Sequence, residues 1–157
     1  MTTSRATPRL LALGLTFAAT IWAAAIFFAP HSGVPGVAAI VHGAGAVVCH
    51  QRAERSFQIA QVPMPVCARC TGLYVAGALG ALLGWLGTPR IPSRTRLLVA
   101  MMAVPTAVTF GGEWLGVLQP GNALRAAAAL PLGTCAGWLF VRLLRAEEQP
   151  STCAIIS

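Results

Sequence analysis

Residues 34–48 read VPGVAAIVHGAGAVV, a run of apolar and small residues interrupted by three glycines and His42. Whether this run crosses a bilayer decides the fold, because every later apolar run changes side with it. A helical crossing of a hydrocarbon core ~30 Å thick takes ~20 residues. The run falls short of that, so a short or re-entrant helix is expected here.

Outward from it lie four longer apolar runs, at about 10–29, 71–87, 97–118 and 123–144. Of the 157 residues, 56% are hydrophobic and only 10% charged, with a mean hydropathy of +0.71. That composition excludes an ordinary soluble globular domain. The expected architecture is an all-α integral membrane protein, a single membrane domain over 1–157, with four transmembrane helices, one short helix at 34–48 and a polar tail at 146–157. The N-terminal run follows Arg5 and Arg9 as a signal peptide would, but it exceeds the roughly 7 to 15 apolar residues of such a core. It reads as an anchor.

The net charge of +7 does not indicate nucleic acid, because the arginines sit at segment ends rather than on one amphipathic face. They act as topology signals. If all five runs crossed, the arginines would divide six to five between the two sides. If 34–48 does not cross, Arg5, Arg9, Arg90, Arg94, Arg96, Arg142 and Arg145 face Arg52, Arg55, Arg69 and Arg125, seven to four. The positive-inside rule favours the second arrangement, in an inner membrane with both termini cytoplasmic.

That topology places residues 47–74, VVCHQRAERSFQIAQVPMPVCARCTGLY, at the outer face. They hold three of the five cysteines. Cys67 and Cys70 are three apart and share a face at the start of a helix, where the macrodipole and Arg69 favour thiolate. Cys49 and His50 end the short upstream helix. Together they give C-H-x16-C-x2-C, a tetrahedral zinc set of three sulfurs and one nitrogen. His42, two helical turns before Cys49, competes with His50 for the fourth position. Cys135, alone in GTCAG, reads as a packing residue.

A second polar set lies within the apolar runs: Glu113 in the third, Asn122 in the turn after it, and Arg125 early in the fourth. Ionisable groups at membrane depth are costly and face the bundle interior or water. The turn QPGN is short enough to let Glu113 and Arg125 meet near the outer face. Gly80, Gly84, Gly133 and Gly137 form small-xxx-small faces for close helix approach. Trp85, Trp114 and Trp138 are expected as interface anchors.

The motifs CHQRAERSF and PVCARCTGLY resemble the signature of a family of small prokaryotic integral membrane proteins catalogued as a domain of unknown function. The resemblance spans about 41–137. It implies that Cys49, His50, Gln51, Arg55, Ser56, Phe57, Cys67, Arg69, Cys70, Thr71, Gly72 and Tyr74 are signature residues, with Asn122 and Arg125 its later N-x-x-R element. Where that family commonly carries an intramembrane Asp-Gly, this chain reads TFGGEW, with Glu113 nearby. The acid, short turn and Asn-Gly pattern is also similar to VanZ-like membrane proteins, associated with lipid or glycolipid head groups.

Three functional expectations follow. One is a zinc site on Cys49, Cys67, Cys70 and His50 or His42. Another is a thiol-disulfide oxidoreductase exchanging through Cys67 and Cys70, with Cys49 as the resolving thiol and a quinone or protein partner. The third is a lipid head-group enzyme with Glu113 as base and Arg125, Arg55 and Arg52 holding phosphate. The expected partners are the lipid bilayer and a lipid or quinone ligand, and not nucleic acid. Cys153 stands fifth from the end and makes no prenylation box.

Overall fold

A computed structural model describes residues 6–146. The tail expected after Ala146, with Cys153, and Arg5 at the other end lie outside the described residues. In chain order the elements are α1 (Ala6–Phe28), α2 (Pro35–Val48), β1 (Gln58–Ile59), β2 (Val62–Pro63), α3 (Ala68–Leu83), α4 (Thr95–Trp114) and α5 (Asn122–Ala146). The chain is thus mostly helical. Three stretches, Thr7–His31, Thr95–Trp114 and Asn122–Ala146, are long and apolar enough to cross a membrane, and α2 and α3 are shorter apolar helices.

The run expected at 71–87 therefore becomes a helix of 16 residues that starts earlier and stops sooner. Its register is set by glycine. Gly72 lies against the Ala126 backbone, Gly80 against that of Thr134, and Gly84 against the Val141 side chain. Positions on both helices advance together, so α3 and α5 run parallel. From the other side, Gly133 meets the Leu73 carbonyl and Gly137 the Gly77 carbonyl, where a Cβ has no room. In lipid such backbone-to-backbone packing supplies the association energy that apolar burial supplies in water.

α4 runs antiparallel beside α5, with the Thr106 hydroxyl donating to the Ala128 carbonyl at 2.8 Å. The apolar run expected to 118 stops being helical at Trp114. Gly116 takes φ +73°, and the amides of Val117 and Leu118 turn back to the Gly112 carbonyl at 3.0 Å each. This glycine-terminated C-cap is open to very few other residues.

α1 runs antiparallel to α3. Trp22 packs edge-to-face on Tyr74 with ring centroids 6.0 Å apart, and the Trp85 indole N–H donates to the Thr16 hydroxyl at 3.0 Å. Trp85 and Trp138 also lie beneath Arg145 and Arg142, each about 5.1 Å from ring centroid to guanidinium. These arginines cap the carbonyls at the end of α3. Arg145 donates to the Gly84 carbonyl at 2.8 Å and Arg142 to those of Leu86 and Thr88.

α2 begins a short turn after α1 and buries only Val41 and Gly45. Val41 and Cys49 join Ile26 and Ala29 from the end of α1, and Met64 and Val66 from the lead into α3, in one apolar cluster. The helix therefore finishes at the same end of the bundle where it began. Its remaining apolar side chains, such as Ile40 and Val47, are exposed.

Candidate functional site

Three segments meet at the end of the bundle where α3 and α5 begin. The first is the close of α2. Cys49 caps it in an extended conformation, with φ −146° and ψ 141°, and is buried. Gln51 follows at φ +47°, a left-handed backbone uncommon outside glycine. The bend aims its amide Nε2 at two carbonyls, His42 and Pro65, each at 2.7 Å. Gln51 thereby ties the end of α2 to the lead into α3. Gly45 makes this approach possible, since a Cβ there would meet the Pro65 carbonyl and the Gln51 amide.

The second segment is the loop 52–66. Ser56 is buried, donates its hydroxyl to the Arg52 carbonyl at 3.1 Å and presents its own carbonyl to the Asn122 amide at 3.0 Å. β1 and β2 then pair around Ala60 and Gln61, which take φ +48° and +65°. Two positive φ values at the central residues are the mark of a type I′ hairpin turn. It returns the chain through buried Met64, Pro65 and Val66.

The third segment is the start of α3. Cys67 is its N-cap, and its N–H donates to the Cys49 sulfur at 3.2 Å. Thr71 donates its hydroxyl back to the Cys67 carbonyl at 3.2 Å. Cys70 follows one helical turn after Cys67, so the two sulfurs stand side by side. The Sγ atoms of Cys49, Cys67 and Cys70 all lie within 4.8 Å of one another, and among the described residues they form the metal-competent cluster. The Cys67 thiol is lowered to about 5, first by its hydrogen bond with the Cys70 side chain, against burial, with nearby backbone amides and Cys49 assisting.

Neither imidazole belongs to this cluster. His50 follows an extended residue, and consecutive side chains on extended backbone point to opposite sides. It still lines the same pocket as the cysteines. His42 contributes its carbonyl, to Gln51, rather than its ring. Cys135 is buried in α5, beside an apolar groove between α4 and α5.

Next to the sulfurs stands a charge knot. The Glu113 carboxylate receives Arg125 at 2.9 Å and Arg55 at 3.4 Å on Oε1, and Arg69 at 3.1 Å on Oε2. Asn122 orients Arg125 by accepting from it at 2.8 Å, and Phe110 lies under Arg69 at 5.3 Å. The structure thus brings Glu113 and Arg125 to one depth, together with Arg55 and Arg69 from the opposite half of the chain. Arg52, farther out, lies 4.0 Å from exposed Glu54. Both carboxylate oxygens of Glu113 are occupied by guanidinium groups, which favours a structural anchor over a free base.

The family of predicted membrane proteins DUF2085 matches residues 49–139. This chain belongs to it. The DUF2085 match opens on Cys49 and takes in the whole sulfur cluster and charge knot. An uncharacterized protein of Methanothermobacter thermautotrophicus is 31% identical over 86 residues, covering 55% of this chain and 78% of that protein. Another, from Methanocaldococcus jannaschii, is 30% identical over 116 residues, covering 64% of this chain and 70% of that protein. No solved structure matches the chain.

Within this DUF2085 chain, sequence reading missed Gly45, the Pro65 carbonyl and Phe110. The spacing of Gly45 from Gln51 was the available signal, since a glycine near a helix end beside a long polar side chain marks a close approach. Gln51→Leu is expected to destabilise the protein by about 1–3 kcal/mol by leaving the Pro65 carbonyl without its donor and untying α2 from the lead into α3. Thermal unfolding of the purified variant checks this.

Proposed function

We propose that this protein binds a zinc ion at its outer membrane face through Cys49, Cys67 and Cys70. The observation that carries the reading is the mutual approach of the three sulfurs within 4.8 Å, drawn from two separate segments. Tetrahedral zinc with Zn–S near 2.3 Å needs sulfurs about 3.8 Å apart. The cluster has to close by only roughly 1 Å to satisfy that geometry. Zinc suits thiolate ligands, and the Cys67–Cys49 hydrogen bond and the Gln51 clamp hold the halves in place as outer-shell contacts do in metal sites. Three protein ligands leave a fourth position open toward the pocket shared with His50. That position can take His50, after a side-chain rotation, or a water.

The four-span topology is part of the same proposal. α1, α4, α5 and the shorter α3 cross an inner membrane, and α2 lies along its outer surface. The return of α2 to its starting end supports this, as does the gathering of Arg90, Arg94, Arg96, Arg142 and Arg145 near the opposite end.

Elemental analysis of purified protein is expected to find close to one zinc per chain. Cys49→Ser, Cys67→Ser and Cys70→Ser each lower it at least about tenfold. Equal zinc in wild type and all three variants removes the reading. A second reading, thiol-disulfide exchange, draws on the approach of the Cys67 and Cys70 sulfurs within 4.8 Å of one another. In it the Cys67 thiolate attacks a partner disulfide and Cys70 resolves the mixed disulfide, leaving a Cys67–Cys70 disulfide and a reduced partner. Alkylation and mass spectrometry of the same preparation distinguish the two, since zinc binding requires the thiols reduced.

A further inference from the structure

The pocket of about 370 Å³ beside the sulfurs is lined by Arg52, Arg55, Arg69 and Arg125, and by no carboxylate. Among the described residues, the carboxylate within ion-pair reach of three of these is Glu113, which does not line the pocket. Glu113 brings one negative charge to three guanidinium groups, so the arginines outnumber the carboxylate that meets them. Arginine clusters without matching acids are costly at membrane depth unless a ligand balances them.

The donors are also incompletely used. The Nε atoms of Arg69 and Arg125 are buried and have no partner, although buried polar groups are ordinarily hydrogen-bonded. Their side chains are only 19% and 13% exposed, so water is largely kept away. Arg55, at 42%, and Arg52, at 61%, stand at the open rim. The pocket is thus graded from two shielded guanidinium groups at its base to two more exposed ones at its mouth. Guanidinium forks match the oxygens of tetrahedral oxyanions bidentately.

We infer that this pocket binds a phosphate dianion, either the phosphomonoester of a lipid head group or free phosphate, between Arg69 and Arg125 at the base and Arg55 and Arg52 at the mouth. Basic pockets at membrane surfaces hold lipid phosphates in the same manner. The inference stands on the arginines alone and does not depend on a metal at the cysteines.

The test uses the full chain in phosphatidylcholine nanodiscs, with thermal unfolding followed by tryptophan fluorescence. One arm titrates inorganic phosphate at constant ionic strength. The other replaces part of the phosphatidylcholine with phosphatidic acid. Saturable stabilisation is expected, since a ligand binding only the folded state raises the unfolding temperature. Stabilisation by inorganic phosphate identifies a soluble source, and stabilisation by phosphatidic acid alone identifies a lipid source. Arg55→Gln and Arg52→Gln, at the rim and away from the packed core, each weaken the apparent affinity about tenfold. Glu113→Gln removes the competing carboxylate and strengthens binding about tenfold, even where it lowers the starting stability. No saturable stabilisation in either arm, or equal stabilisation of wild type and an Arg52→Gln/Arg55→Gln double variant, overturns the inference.

Discussion

Glu113→Ala is expected to lower stability by about 3–5 kcal/mol, because it leaves guanidinium groups buried without their counter-charge. The Glu113 side chain is only 11% exposed and those of Arg125 and Arg69 little more. Arg55 is solvated enough to contribute little. The penalty therefore falls on two arginines, one from α3 and one from α5. Unfolding of the variant in a zwitterionic detergent measures the loss. The cause is separable by a double-mutant cycle. Combining Glu113→Gln with Arg125→Met should recover part of the loss of Glu113→Gln alone, since one of the two orphaned charges is then gone. An unchanged unfolding temperature in Glu113→Ala would mean that the knot contributes nothing.

Gly137→Leu should be at least as damaging. A Cβ at Gly137 collides with the Gly77 carbonyl and the Ala81 amide, both backbone atoms that cannot rotate aside. Overpacking costs typically about 1–3 kcal/mol and more where backbone must move. Here it acts on the parallel contact that holds the two site-bearing helices together. The expected result is about 3 kcal/mol or more, seen as loss of the monodisperse peak in size-exclusion chromatography. Gly14→Ala and Gly111→Ala supply the contrast, because a Cβ at either position meets nothing. Both should match or slightly exceed wild-type stability, by up to about 1 kcal/mol from helix propensity. Damage from Gly14→Ala or Gly111→Ala equal to that from Gly137→Leu would falsify the seam as its cause.

The long helices were legible in the sequence because lipid demands an apolar run of set length, and α1, α4 and α5 obey. The limits of α3 were not. Apolar composition continues through Trp85 and Leu86 after the helix has ended, and the turn at Gly87, with φ +69°, looks like any other glycine in an apolar stretch. Similarly, Val117 and Leu118 read as span but fold back over Gly112. Hydropathy records whether a residue tolerates lipid and carries no record of where backbone hydrogen bonding stops.

At the site, the three cysteines and the partners Glu113 and Arg125 could be named from residue type and spacing. The joining of Arg55 and Arg69 to the same carboxylate could not, since it depends on α3 and α5 being parallel and on the loop folding across them. The fourth ligand position was ambiguous for a related reason. His42 stands at helical spacing from Cys49 and His50 directly beside it, but Cys49 leaves the helix in an extended conformation and breaks the spacing rule.

The parallel pairing of α3 with α5 also imposes an order on biosynthesis. α3 is about 24 Å long at 1.5 Å per residue, short of a hydrocarbon core of about 30 Å. Its glycine face has no partner until α5 leaves the ribosome, and the carbonyls at its far end await Arg142 and Arg145 near the end of that helix. A nascent chain stalled after α4 carries the three clustered cysteines with neither the seam nor the Arg125 half of the knot. Completion of the pocket thus waits for α5, and a chain truncated before it presents its thiols without the helix that closes the site.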